Sequence, residues 1–109
     1  MAYESPIQIP MPGGTVTVNV TGLGLVELTA GPTTSIAGMT GGVVNAPVQL
    51  LNLSGAVVNL LNQSSLASPG TRMYCFANGT TAPGTLVLSP NMAADLIFVG
   101  GNWYVLGHS

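Results

Sequence analysis

From Thr15 to Thr21 the chain reads "TVTVNVT". Val16, Val18 and Val20 fall on one side of an extended backbone; Thr15, Thr17, Asn19 and Thr21 fall on the other. That period of two belongs to a half-buried strand and not to a helix. Similar segments follow at "LVELTA" (25–30), "TSIAGM" (34–39), "PVQLLNLS" (47–54), "AVVNLLN" (56–62), "RMYCFA" (72–77), "TLVLS" (85–89), "ADLIFV" (94–99) and "NWYVLG" (102–107). Gly31-Pro32, Gly41-Gly42, Ser54-Gly55, Pro69-Gly70, Asn78-Gly79, Pro83-Gly84 and Gly100-Gly101 punctuate them with turn chemistry. Fifteen glycines and eight prolines leave no room for a long helix. "NLLNQSSLAS" (59–68) could hold at most one helical turn. The expected fold is all-β: an antiparallel β-sandwich or jelly-roll-like barrel, with residues 15–109 as a single domain. Ser54-Gly55 and Asn78-Gly79 are each expected to head a hairpin.

Residues 1–14 read differently. Pro6, Pro10 and Pro12 fix φ, remove backbone donors and push their predecessors toward extended geometry. The segment is expected to be an extended N-terminal arm carrying Tyr3, Ile7, Ile9 and Met11. Two readings stay open for it, a frayed terminus or an arm laid along a partner.

Charge narrows the function. Charged residues are 4% of the chain, against roughly 25% in ordinary soluble proteins. Arg72 is the one basic residue, Glu4, Glu27 and Asp95 are the acids, and the net charge is -2. Nothing here can neutralise a run of phosphates or an anionic membrane surface, so neither nucleic acid nor membrane is an expected partner. No apolar run approaches the roughly 20 residues of a spanning helix. The start lacks the basic and apolar regions of a signal peptide. The Asn-x-Ser/Thr triplets at Asn19, Asn52, Asn62 and Asn78 are read as products of composition. With so few charges, solubility must come from Asn, Ser, Thr and Gly, or from hiding surface in an oligomer.

The closing stretch "LIFVGGNWYVLGHS" (96–109) presses that point. A two-residue Gly100-Gly101 loop of the primed type sets Val99 opposite Asn102, Phe98 opposite Trp103, Ile97 opposite Tyr104 and Leu96 opposite Val105. One face then carries Leu96, Phe98, Trp103 and Val105; the other carries Ile97, Val99, Tyr104 and Leu106. Both are apolar, whereas a hairpin on the outside of a monomer has one polar face. A central strand pair inside one sandwich would explain this, and so would a subunit interface. The second reading is favoured, with Leu96, Ile97, Phe98, Val99, Trp103 and Tyr104 as interface residues.

Catalytic equipment is scarce. His108 stands near the end and Cys75 stands alone, read as a small buried apolar residue. Three acids, one of them in the arm, make a poor source for a glycosidase pair. Metal-ligand spacing and phosphate-binding glycine patterns do not occur, so no enzyme, metal or cofactor is expected. Asp95 is expected to end a turn. Glu27 is expected on a solvent face or paired with Arg72. Trp103 and Tyr104 are read mainly as core or interface aromatics, with a sugar-stacking platform as the alternative.

In sequence order, "LVELTAGPTTSIAGMTGG", "VQLLNLSGAVVNLLNQSS", "TRMYCFANGTTAPGTLVLSP" and "ADLIFVGGNWYVLG" resemble a β-module of tailed-phage virion proteins. The likeness runs from about residue 24 to 107 and takes in tail fibres, head fibres and capsid decoration proteins. Its last turn departs from the module's Tyr-Asp-Gly flavour, since Val99-Gly100-Gly101 puts fewer polar groups at the tip. The resemblance implies a homotrimeric structural protein of the virion. The expected role is capsid decoration (cement) on the outer capsid surface, with the major capsid protein as partner and the arm residues Tyr3, Ile7, Ile9 and Met11 as its contacts. A chain opening on Met1 without a fibre shaft fits that role better than a fibre fragment. The alternative is a head-fibre or tail-fibre tip that binds host glycans.

Overall fold

The chain crosses back and forth between two sheets. The computed structural model describes residues 7–20, 24–75 and 84–108. Ten strands follow in order: β1 (Ile7–Pro10), β2 (Gly14–Asn19), β3 (Leu25–Thr29), β4 (Thr34–Thr40), β5 (Pro47–Asn52), β6 (Val58–Leu61), β7 (Met73–Tyr74), β8 (Thr85–Leu88), β9 (Ala93–Val99) and β10 (Asn102–His108). Sheet A has the order β1-β3-β5-β9-β10-β7, and sheet B the order β2-β4-β6-β8. The described residues contain no helix, and the 59–68 segment is strand followed by turns. No helix among them is long and apolar enough to cross a membrane.

The all-β expectation holds, but the antiparallel sandwich or jelly-roll-like barrel does not. Both sheets are mixed. β1, β3 and β5 run parallel in sheet A, and β2, β4 and β6 run parallel in sheet B. Ile7 stands beside Val26 and Val26 beside Leu50; Gly14 stands beside Thr34 and Thr34 beside Val58. The first six strands are thus three coils of a flattened helix. Parallel neighbours need a long connection, and the strand in the opposite sheet supplies it. Gly31-Pro32 and Ser54-Gly55 are corners that carry the chain from one sheet to the other. Corners and hairpins use the same turn residues, which is why Ser54-Gly55 reads as a hairpin head in the sequence. Asn78-Gly79 lies outside the described residues. The later strands close the sheets with antiparallel pairs, β5–β9, β9–β10 and β6–β8.

Alternation places the core between the sheets. Val26, Leu28, Val48, Leu50, Ala94, Leu96 and Trp103 from sheet A meet Val18, Ile36, Met39, Val58, Leu60 and Leu88 from sheet B, all buried. Polar groups caught inside are satisfied. The Asn52 amide donates to the carbonyls of Ala56 (2.8 Å) and Leu88 (2.9 Å), and its Oδ1 accepts from the Ser54 backbone N–H (3.0 Å) and hydroxyl (2.7 Å). Thr34 is also fully buried; its hydroxyl donates to the Pro32 carbonyl and accepts from the Gly13 N–H (2.9 Å). These bonds tie successive corners together, because a buried amide or hydroxyl left unmet would cost more than the bond gives.

The N-terminal segment joins this arrangement. β1 lies on β3, Met11 is buried and Ile9 packs against the core. Tyr3 lies outside the described residues.

Candidate functional site

The closing hairpin takes the register expected from its Gly-Gly turn. Asn102 pairs with Val99, Trp103 with Phe98, Tyr104 with Ile97 and Val105 with Leu96. Gly100 and Gly101 have φ of 60° and 84°, the left-handed pair that a primed turn requires. A β-bulge between Val105 and Gly107 then shifts the ladder.

That register separates the interface residues read from the sequence. Leu96 and Trp103 are 0% exposed, and Phe98 is partly buried against the core. The Phe98 and Trp103 rings lie 5.1 Å apart at a 54° tilt, and the Trp103 indole N–H donates to the Met39 carbonyl at 2.9 Å. All of this is internal, so these side chains serve the subunit's own core. Trp103 also has no face or donor left for a sugar.

Ile97, Val99 and Tyr104 belong to the outer face. Tyr104 is 40% exposed and Val99 39%, with Leu106 at 65% beyond the bulge. Tyr74 on β7 stacks on Tyr104, with centroids 5.0 Å apart and ring planes within 15°. The ladder continues the apolar strip sideways, with Pro47 beside Ile97 and Leu51 beside Ala93. Tyr74 was not singled out from the sequence, although in "RMYCF" the alternation with its inward neighbours Met73 and Cys75 puts it on the outer face.

Charge around the strip is thin. Asp95 does not end a turn; it sits within β9 between Gln49 and Gly107, exposed on the outer face. Glu27 accepts from the Gln8 amide (3.1 Å), while Arg72 Nε donates to the Ala67 carbonyl (3.1 Å). The described residues hold no cluster of His, Cys, Asp and Glu able to bind a metal.

Cys75 is buried, and its N–H donates to Asn62 Oδ1 at 2.9 Å. Desolvation pushes its thiol up from 9.0 to about 12. The thiolate is the reactive form, so a thiol reagent at pH 8 is expected to leave Cys75 unmodified until the chain is unfolded in urea. Rapid labelling of the native protein would refute that burial. The sign for stability follows from the same shift. Above pH 9 the unfolded thiol ionises while the folded one stays protonated, so stability falls as pH rises from about 9 toward about 12.

What remains is a weakly charged sheet face that carries exposed aromatic and aliphatic side chains. Comparison with protein-family models, curated proteins and solved structures found no match to this chain.

Proposed function

We propose that this chain is a structural protein of a tailed-phage particle, a homotrimeric decoration protein that binds and stabilises the assembled capsid. The observation that carries the reading is the apolar outer face of β9 and β10, where Val99, Tyr104 and Leu106 stay exposed beside the Tyr74 ring. Covering a side chain of this size is worth about 1.5–3 kcal/mol when complete. A symmetry mate offers such cover with no new chemistry. The resemblance of residues 24–107 to virion β-modules points the same way.

The mechanism is linkage. A trimer that binds only the assembled shell shifts the equilibrium toward that shell, and three attachment points on one trimer multiply a weak contact. Almost no charge takes part, so attachment should depend little on salt. In the arm version of this reading, residues 3–12 reach a neighbouring capsid subunit by strand addition. Since β1 lies on β3 and Met11 is buried, that reach falls to residues before Ile7, with Tyr3 among them. A fibre tip that binds host glycans is the second reading, and the Tyr74–Tyr104 stack, with Tyr104 exposed and Tyr74 half-buried, favours it.

Native mass measurement of the wild-type chain is expected to give assemblies built on three copies. Leu106→Glu places like charges in the contact and should weaken that association at least about tenfold, or 1.4 kcal/mol. Capsids lacking the protein should then bind wild type and not the variant. Binding to host cells without binding to capsids would select the fibre reading, and a monomeric wild type would end both trimer readings.

A further inference from the structure

The outer face of sheet A carries two acids, and they stand in different company. Glu27 lies on β3 beside Leu51 and accepts from the Gln8 amide at 3.1 Å. Asp95 lies within β9 and is exposed. Its neighbours follow from the register. Ala93 and Ile97 are two residues away along β9, on the same face. Gln49 stands beside it on β5 and Gly107 beside it on β10. Leu106 is the extra residue of the bulge, set between the Val105–Leu96 and Gly107–Asp95 pairs. Gly107 gives the carboxylate no cover: a Cβ placed there would have nothing within 4 Å beyond its own chain neighbours. Asp95 thus borders the apolar strip next to Leu106, which is 65% exposed.

Other charge around it is scarce. β5 has no titratable side chain, and β10 has Tyr104 and His108. Tyr104 stands opposite Ile97 and stacks on Tyr74 of β7. His108 pairs with Ala94, which alternates to the inner face of β9 and is buried. The strands of sheet B carry no acid, base or histidine. Arg72, the one arginine or lysine of the chain, precedes β7 and gives its Nε–H to the Ala67 carbonyl.

Neighbouring strands lie about 5 Å apart, so a second copy that covers Leu106 covers Asp95 with it. We infer that Asp95 lies inside the self-association face and makes assembly acid-dependent, tighter as pH falls. This rests on the β9–β10 assembly proposed above, whatever number of copies closes it. The cause is desolvation. A carboxylate taken out of water is penalised in its charged form and takes up a proton more readily. The assembled form then holds more protons than the free chain, so lowering the pH drives assembly. For one proton taken up at each contact, association gains up to about tenfold per pH unit. At neutral pH the same carboxylate restrains a face that would otherwise invite indiscriminate apolar contact. Charged residues beside exposed apolar strands serve natural sheets in that way.

Sedimentation of the full chain at about pH 7.5 and about pH 5 reads the effect, and the wild type should associate at least about tenfold more tightly at the lower value. Asp95→Asn should associate at neutral pH as tightly as the wild type does in acid, and should lose most of the pH dependence. Since Asp95 is exposed in the single chain, circular dichroism and Tm of this variant should stay near wild type. Acid also reduces the net charge of -2. Glu27→Gln removes the same charge from the same face, away from the strip, and should keep the wild-type pH response. His108→Gln should keep it as well.

A pH response unchanged in Asp95→Asn overturns the inference, and leaves the assembly reading standing when Leu106→Glu still weakens association. A response lost equally in Glu27→Gln, or lost in His108→Gln, overturns it too. Weaker association of Asp95→Asn at neutral pH would mean that the carboxylate pairs with a cation such as the partner subunit's Arg72, which also overturns it. Wild type and Asp95→Asn both monomeric at both pH values would end the inference and the assembly reading together.

Discussion

Trp103→Ala is expected to lower the unfolding free energy by about 3–5 kcal/mol, the range for removing a fully buried large aromatic. Three losses combine at this position. The indole is 0% exposed on sheet A's inner face, so its removal leaves a cavity that short, hydrogen-bonded strands cannot readily close. Phe98 loses its tilted partner at 5.1 Å. The Met39 carbonyl loses the 2.9 Å donor that ties sheet B to sheet A. Trp103→Phe separates these terms, since it keeps most of the apolar volume and drops the donor. It should cost about 1–3 kcal/mol, the penalty for a buried acceptor left unmet. A domain of this size has roughly 5–15 kcal/mol in total, so the alanine variant should populate unfolded chains well before wild type in urea. A loss below about 1 kcal/mol for Trp103→Ala would mean that the indole is not in the core.

The same residue marks where sequence reasoning stops. The hairpin register was legible because Gly100-Gly101 restricts the turn and alternation does the rest. That both faces were apolar was legible too. Which face the subunit covers for itself was not, because alternation assigns side chains to faces and is silent on what lies opposite. Trp103 and Leu96 went inward because sheet B closes over that face, with Met39 and Leu60 in the same core. Strand direction was hidden for a similar reason. "VELTAGPTTSIAG" fits a hairpin and a sheet-to-sheet corner equally well, and the decision rests on whether β3 finds β4 or β5 as its neighbour. Asn52 is the sharpest case. In "VQLLNLS" it reads as a polar residue near a turn, yet it is fully buried and holds the Ala56 and Leu88 carbonyls. One of those partners is local and the other arrives only with β8.

Gly31→Ala decides whether the N-terminal segment is an arm or a strand. Gly31 is the corner between β3 and β4, and the chain leaving β1 passes directly over it. A Cβ added there would fall on the Met11 carbonyl oxygen and within 2.7 Å of its carbon, both backbone atoms. The clash can be relieved only by moving the Met11 segment. Movement exposes Met11, which is 2% exposed, and loosens the Gly13 N–H from the Thr34 hydroxyl at 2.9 Å. Burial of Met11 is worth about 1.5–3 kcal/mol and the hydrogen bond about 1 kcal/mol. The expected loss is therefore about 2.5–4 kcal/mol in urea unfolding, together with faster hydrogen exchange across β1. The opposite sign is available for comparison. Where a glycine site has room and no positive φ, alanine stabilises by about 0.4–1 kcal/mol through the unfolded chain. A free arm would leave that room. Gly31→Ala as stable as wild type, or more so, would therefore detach β1 from sheet A and return residues 7–12 to the arm.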